Sequence, residues 1–203
     1  TTFSFQGVES AVFISTTPTP ESAAAFAAYA ESQRDHWGFV PDYTGCFAAR
    51  PEVATAWIAL ASAVRAPMDR RRFELVTIAA ARARRSAYCT AAHARMLMDV
   101  CHDEPTLRDL AADPDGDQLA AVDAAIYRFA VRVATDPASV TQQEVDDLRA
   151  VGLTDSDIAD IVYAVGVRLF FATVLDGLGA RPDEEIIGLL DHELVTFVRG
   201  SSG

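Results

Sequence analysis

Helix-start signals recur along almost the whole chain, and they restrict it to an all-α fold. Thr19-Pro20-Glu21 reads as an N-cap followed by proline at the first helical position, predicting an Ala-rich helix to about His36. A loop rich in turn residues spans Gly38 to Gly45, after which Pro51 opens a helix to about Arg65. Pro67-Met68-Asp69 punctuates before the next helix, and Ser86 precedes one from about Ala87 to Cys101. Pro105 starts a short helix ended near Asp113-Pro114-Asp115-Gly116. Leu119, Val122, Ile126, Phe129 and Val133 then repeat at helical spacing up to Thr135. Thr141-Gln-Gln-Glu144 has the form of a capping box, with Gly152 as the following stop. Helices from Thr154 to about Leu178 and from Pro182 to about Val198 complete the set. Only the first fifteen residues, with Phe3, Phe5, Val12 and Ile14 in partial alternation, read as a strand or an extended arm. The expected organisation is an arm at 1–18, one multi-helix domain at 19–199 and a short tail at 200–203. A chain of 203 residues, half of them apolar, is ample for a single core.

One segment carries chemistry as well as structure. From Glu74 to His93 the chain reads ELVTIAAARARRSAYCTAAH, placing a thiol, Cys89, and an imidazole, His93, four residues apart. Four residues is about one helical turn, so both side chains share a face, and His93 is expected to take the Cys89 proton and leave a thiolate nucleophile. If Ser86 caps the helix, Cys89 is its third residue, near the positive end of the helix dipole, which favours a thiolate. Each residue also has a structural reading: Cys89 as a small buried hydrophobe, His93 as a satisfied core residue, Ser86 as a plain N-cap, Tyr88 as a packed ring. Were one helix continuous from Glu74 to Cys89, the two would stand about 22 Å apart, too far for proton transfer. The chain is therefore expected to break near Arg84 to Ser86, although no Gly or Pro enforces a break there.

The segment resembles the alkylhydroperoxidase D / carboxymuconolactone decarboxylase superfamily, whose signature is Glu, eleven residues, Cys-x-x-Cys, three residues, His. The spacing here is the same. The resemblance implies an all-α homo-oligomer, a trimer or hexamer, with Glu74 and His93 as proton-relay residues and Cys89 as the peroxide-attacking cysteine. Ser86 occupies the place of the first, resolving cysteine, so the local Cys-x-x-Cys disulfide cannot form. Trp37-Gly38-Phe39-Val40-Pro41-Asp42, Arg50-Pro51 and, more loosely, Phe129 to Leu178 extend the likeness over most of the chain.

Charge and composition exclude several classes. A formal charge of −12 disfavours nucleic acid and anionic membranes as partners, and the absence of lysine excludes Schiff-base and pyridoxal-phosphate catalysis. All seventeen basic residues are arginine, eight of them between Arg65 and Arg95, suited to an anion or to pairing with surface carboxylates. Cys46, Cys89 and Cys101 form no disulfide or zinc pattern and suit a reducing cytosol; no metal ligand motif is present around His36 or His192. A Cys89 to Cys101 bridge would span about 18 Å along one helix. The longest apolar candidate, Ile161 to Leu175, is broken by Arg168, leaving nothing of the roughly 18 uncharged apolar residues needed to span a bilayer. Phe170, Phe171, Val174 and Leu178 form an apolar stripe for core or subunit interface. The leading expectation is a cofactor-free, cytoplasmic thiol peroxidase: His93 as base, Cys89 attacking a small hydroperoxide, Glu74 relaying, Ser86 and Tyr88 lining the pocket, and an external thiol as reductant. The rivals are a non-redox acid-base enzyme acting on a small carboxylated ring compound and a non-catalytic helical oligomerisation module.

Overall fold

Helix α3 (Arg70–Ala83) runs through the middle of the molecule, and every residue from Phe73 to Ala81 is buried. The sequence FELVTIAAA permits this because it is apolar or small around the whole circumference except at Glu74 and Thr77. Thr77 satisfies itself, its hydroxyl donating to the carbonyl of Phe73 at 2.8 Å. The computed structural model describes residues 12–200.

Around α3 lie α1 (Ala23–Trp37), α2 (Pro51–Arg65), α4 (Ala87–Asp99), α5 (Glu104–Ala112), α6 (Ala121–Thr135), α7 (Gln142–Ala150), α8 (Asp155–Leu178), α9 (Glu184–Ile187) and α10 (His192–Arg199). Short 3-10 turns occupy Asp42–Phe47 and Pro137–Ser139. Helices α4, α6 and α8 pack directly on α3, α2 covers α8, and α10 covers α4 and α5. Among the described residues all regular structure is helical, so the all-α expectation holds. At its N-terminus α3 leaves the core, and its arginines find acids there: Arg71 pairs with Asp103 and Asp123, and Arg72 with Asp157. These pairs are partly exposed and contribute little apiece, but they give two arginines of the basic cluster their partners.

Helix boundaries follow the local signals closely. Both Thr141 and Thr154 make reciprocal capping boxes, with Glu144 and Asp157 respectively. Gly152, at φ +98, takes the left-handed conformation that closes the turn after α7. Three boundaries differ from expectation. Helix α1 begins at Ala23 behind Ser22, not at Pro20, because the Thr19 and Ser22 hydroxyls and amides bond one another and close a turn first. The loop after Gly38 tightens into the turn Asp42–Phe47. The final helix is two, α9 and α10, separated at Gly188 to Asp191, where Asp191 caps α10 by accepting from the Leu194 amide at 3.0 Å. The expected arm falls mostly on residues 1–11, outside the described residues. Residues 12–18 form no regular element, and the Phe13 amide donates to the Leu178 carbonyl at 2.8 Å.

The stripe on α8 divides between two roles. Phe171 is buried at the centre of an aromatic cluster, stacked on Trp57 at 4.0 Å and meeting Tyr43 edge-on at 5.2 Å, whereas Phe170 is 45% exposed. Helix α8 is long and apolar enough to cross a membrane by length and composition; half of its apolar window is buried among the other helices.

Candidate functional site

The break that the motif requires is made by a left-handed arginine. Helix α3 ends at Ala83, and Arg85 takes φ +58. Its amide donates to the Arg82 carbonyl at 2.9 Å, and the Ser86 amide to the Ala81 carbonyl at 2.9 Å. Those two bonds form a Schellman motif, normally closed by glycine, with an arginine in the left-handed position. Ser86 then begins α4 at once, its carbonyl accepting from the Thr90 amide at 3.0 Å, which makes Cys89 the third helical residue as the spacing predicts.

Ser86 does not cap with its side chain. Its fully buried hydroxyl turns instead toward the Asp176 carboxyl of α8, without a hydrogen bond of good geometry. Tyr88 is also committed elsewhere. Its ring is buried and its hydroxyl donates to Asp183, whose other carboxylate oxygen accepts from the Asp42 amide at 2.9 Å. The Tyr88 hydroxyl thus ties α4 to the segment before α9. Burial, reinforced by Asp183, raises the Tyr88 pKa far above its usual value and keeps the phenol protonated.

Because α4 turns back alongside α3, Glu74 meets His93. Glu74 Oε2 lies 2.5 Å from His93 Nδ1, and Arg70 Nε donates to Glu74 Oε1 at 2.5 Å. The Glu74 side chain is completely buried. Burial raises its pKa, but the His93 ring and Arg70 outweigh that, so the carboxyl ionises below its ordinary value of 4.5. For His93, burial and then the Arg168 charge press the pKa below 6.5 despite the opposing pull of Glu74. At neutral pH the pair is thus a carboxylate and a neutral imidazole. Its Nδ1 carries the hydrogen and points it at Glu74, leaving Nε2 as the acceptor.

Cys89 is 1% exposed. Among the described residues no hydrogen bond joins it to His93. Its polar neighbour is Arg168, whose Nη1 donates to Sγ at 3.6 Å across 79 residues of sequence. Arg168 was legible only as a lone charge interrupting an apolar helix, the one signal that could have marked it. Cys46, Cys89 and Cys101 are all free thiols. Burial pushes the Cys46 thiol up to about 12, and burial also raises Cys101. Two surface grooves lie away from the thiol. One, of about 420 Å³, lies at Arg82, Pro114 and Tyr127; the other, of about 370 Å³, lies along Val53, Trp57, Leu60 and Phe170.

The sequence model of the carboxymuconolactone decarboxylase family matches residues 51–126, which include Glu74, Ser86, Cys89 and His93. Over that stretch the chain is similar to the alkylhydroperoxidase D-like / carboxymuconolactone decarboxylase superfamily. Solved structures share the fold of this chain over nearly its whole length. An uncharacterized peroxidase-related protein from Ralstonia eutropha JMP134, with an alkylhydroperoxidase AhpD core, is 23% identical over 92% of this chain and 97% of its own, with a TM-score of 0.72. A second peroxidase-related protein, from Silicibacter sp. TM1040, is 18% identical over 91% and 98%, with a TM-score of 0.77. The debrominase Bmp8, as an alanine variant in complex with 2,3,4-tribromopyrrole, is 15% identical over 88% and 96%, with a TM-score of 0.71. No curated protein sequence is similar enough to add to these.

Proposed function

We propose that the chain is a cofactor-free, thiol-dependent reductase of small hydroperoxides, with Cys89 as nucleophile and His93 and Glu74 as its proton relay. The observation that carries this reading is the 2.5 Å Glu74–His93 hydrogen bond, which fixes the imidazole one helical turn beyond the thiol with Nε2 as its free acceptor. In the reaction Cys89 sulfur attacks the distal peroxide oxygen. The S–O bond forms, the O–O bond breaks, and the alkoxide departs, taking a proton from water relayed through His93 Nε2. Sulfur is oxidised to a sulfenic acid and the peroxide is reduced to an alcohol. With Ser86 in the resolving position, an external thiol condenses with the sulfenic acid and releases water; a second external thiol then frees Cys89 and carries away the disulfide. A homo-oligomer in a reducing cytosol is the setting this chemistry suits.

The near-complete enclosure of Cys89 supports small oxidants over bulky ones, since neither surface groove includes the thiol. The experiment is peroxide consumption with a monothiol reductant, by wild type, Cys89→Ser and His93→Gln. Turnover by wild type and none by Cys89→Ser is expected; equal rates for the two would end the thiol reading.

A second reading has one observation in its favour. The Glu74–His93 pair is complete without the thiol, as an acid-base enzyme on a carboxylated compound requires. In that case Cys89→Ser retains activity and Glu74→Gln loses it.

A further inference from the structure

Among the described residues Arg168 is the one buried cation at the thiol, and its burial needs an explanation. It is 4% exposed, among the described residues it forms no ion pair with any carboxylate, and its Nε has no hydrogen-bond partner. A guanidinium taken from water without a counter-charge is costly, more so at the centre of an apolar helix. What surrounds it is aromatic and thiol. Its guanidinium carbon stands 5.6 Å from the ring centres of both Trp57 and Phe171, which hold the plane by cation–π attraction. Trp57 is itself pinned to α8, its Nε1 donating to the Val167 carbonyl at 3.0 Å. The aromatic cluster aims Nη1 at Cys89 Sγ.

The other charges near the thiol are already matched. Glu74 of α3 is balanced by Arg70 of the same helix, and Asp183 accepts from Tyr88 of α4 and from a backbone amide. His93 of α4 is neutral at physiological pH, and Tyr43, from the turn before α2, donates to Gln33 at 2.5 Å. Among the described residues Arg168 is thus a buried positive charge with no paired carboxylate, and the atom it touches, Cys89 Sγ, can supply a negative charge by losing a proton.

We propose that Arg168 is a catalytic residue of the site, the counter-ion that holds Cys89 as a thiolate, so that the nucleophile is preformed before substrate arrives. Oxidation of sulfur to sulfenic acid discharges the pair, and each return to the thiolate restores it. This deepens the reading of Cys89 as nucleophile, but its test does not depend on peroxide turnover. Iodoacetamide alkylation of Cys89 is followed peptide by peptide by mass spectrometry against pH. In wild type the rate is expected to change less than about threefold between pH 7 and 9, where a thiol ionising near 8.5 gains about twentyfold. A twentyfold rise in wild type overturns the proposal, and that measurement needs no variant to fold. In Arg168→Gln the pH 7 rate should fall at least tenfold and recover at pH 10, while Arg168→Lys stays within about threefold of wild type. An unchanged pH 7 rate in folded Arg168→Gln also overturns it. A flat wild-type profile in a protein that consumes no peroxide would leave the counter-ion in place and remove only the peroxide as substrate.

Discussion

Glu74 and His93, nineteen residues apart in sequence, share a hydrogen bond of 2.5 Å inside the protein because a left-handed arginine folds α4 back on α3. A charged carboxylate in full burial persists there only through its two donors, the imidazole and Arg70.

Replacing Glu74 by Gln keeps the shape and removes the charge. The amide nitrogen would then face a donor on at least one side, and loss of a buried charged hydrogen bond should lower stability by about 1–3 kcal/mol in urea unfolding. Without the carboxylate the ring tautomer is no longer fixed, so turnover should fall by roughly 10²-fold or more. A variant with wild-type turnover would show that His93 needs no orienting group.

The depressed pKa of His93 gives a signed pH dependence. Above 6.5 the imidazole is neutral in both folded and unfolded chains. Below it the unfolded chain takes up a proton that burial and Arg168 deny the folded one, so the unfolded state binds more protons and stability falls with pH. Urea unfolding at pH 7.5 and 5.5 should show that loss, at most about 1.4 kcal/mol per pH unit from one group. His93→Gln should flatten the difference. For the same reason the base stays available to the reaction below pH 6.5.

Arg85 sits at φ +58 with no side-chain reason to be there. Arg85→Gly removes the steric cost and should raise stability by about 0.5–1 kcal/mol, while the β-branched Arg85→Val should lower it by about 1–2 kcal/mol. Melting temperatures should move in opposite directions by roughly 2–4 °C per kcal/mol in a chain of this size.

Ser86→Cys restores the second thiol of the motif. Because Ser86 is the N-cap and Cys89 the third helical residue, the new sulfur lies within one turn of Cys89. Mass spectrometry after one equivalent of peroxide should find an intramolecular disulfide in this variant and a sulfenic acid or mixed disulfide in wild type, and turnover with a dithiol should increase. Neither chain should form a Cys89–Cys101 bridge, since Cys101 stands beyond the far end of α4.

Leu60 and Phe170 are 55% and 45% exposed beside one apolar groove on α2 and α8. Burial of that face between copies would give a mass of several times 21.8 kDa by light scattering at micromolar concentration, and Phe170→Glu should reduce it. A 21.8 kDa species in the wild type would rule out self-association through this face.

What the sequence by itself determined was everything governed by neighbours a turn or so apart. Proline and threonine starts set the ends of α2, α7 and α8, and the four-residue step from Cys89 to His93 put both on one helix, because capping and helical periodicity act over three or four residues. The need for a break before Ser86 was legible too, from the length of an unbroken helix alone. Its cause was not, since nothing local requires an arginine to take a left-handed conformation; packing of α4 against α3 does. Only the tertiary structure decided which groups meet: Tyr88 with Asp183 across 95 residues, and Cys89 with Arg168 across 79. Those contacts depend on how α8 and the segment before α9 are laid over α4, and an isolated charge in an apolar run says nothing of what it will face once buried.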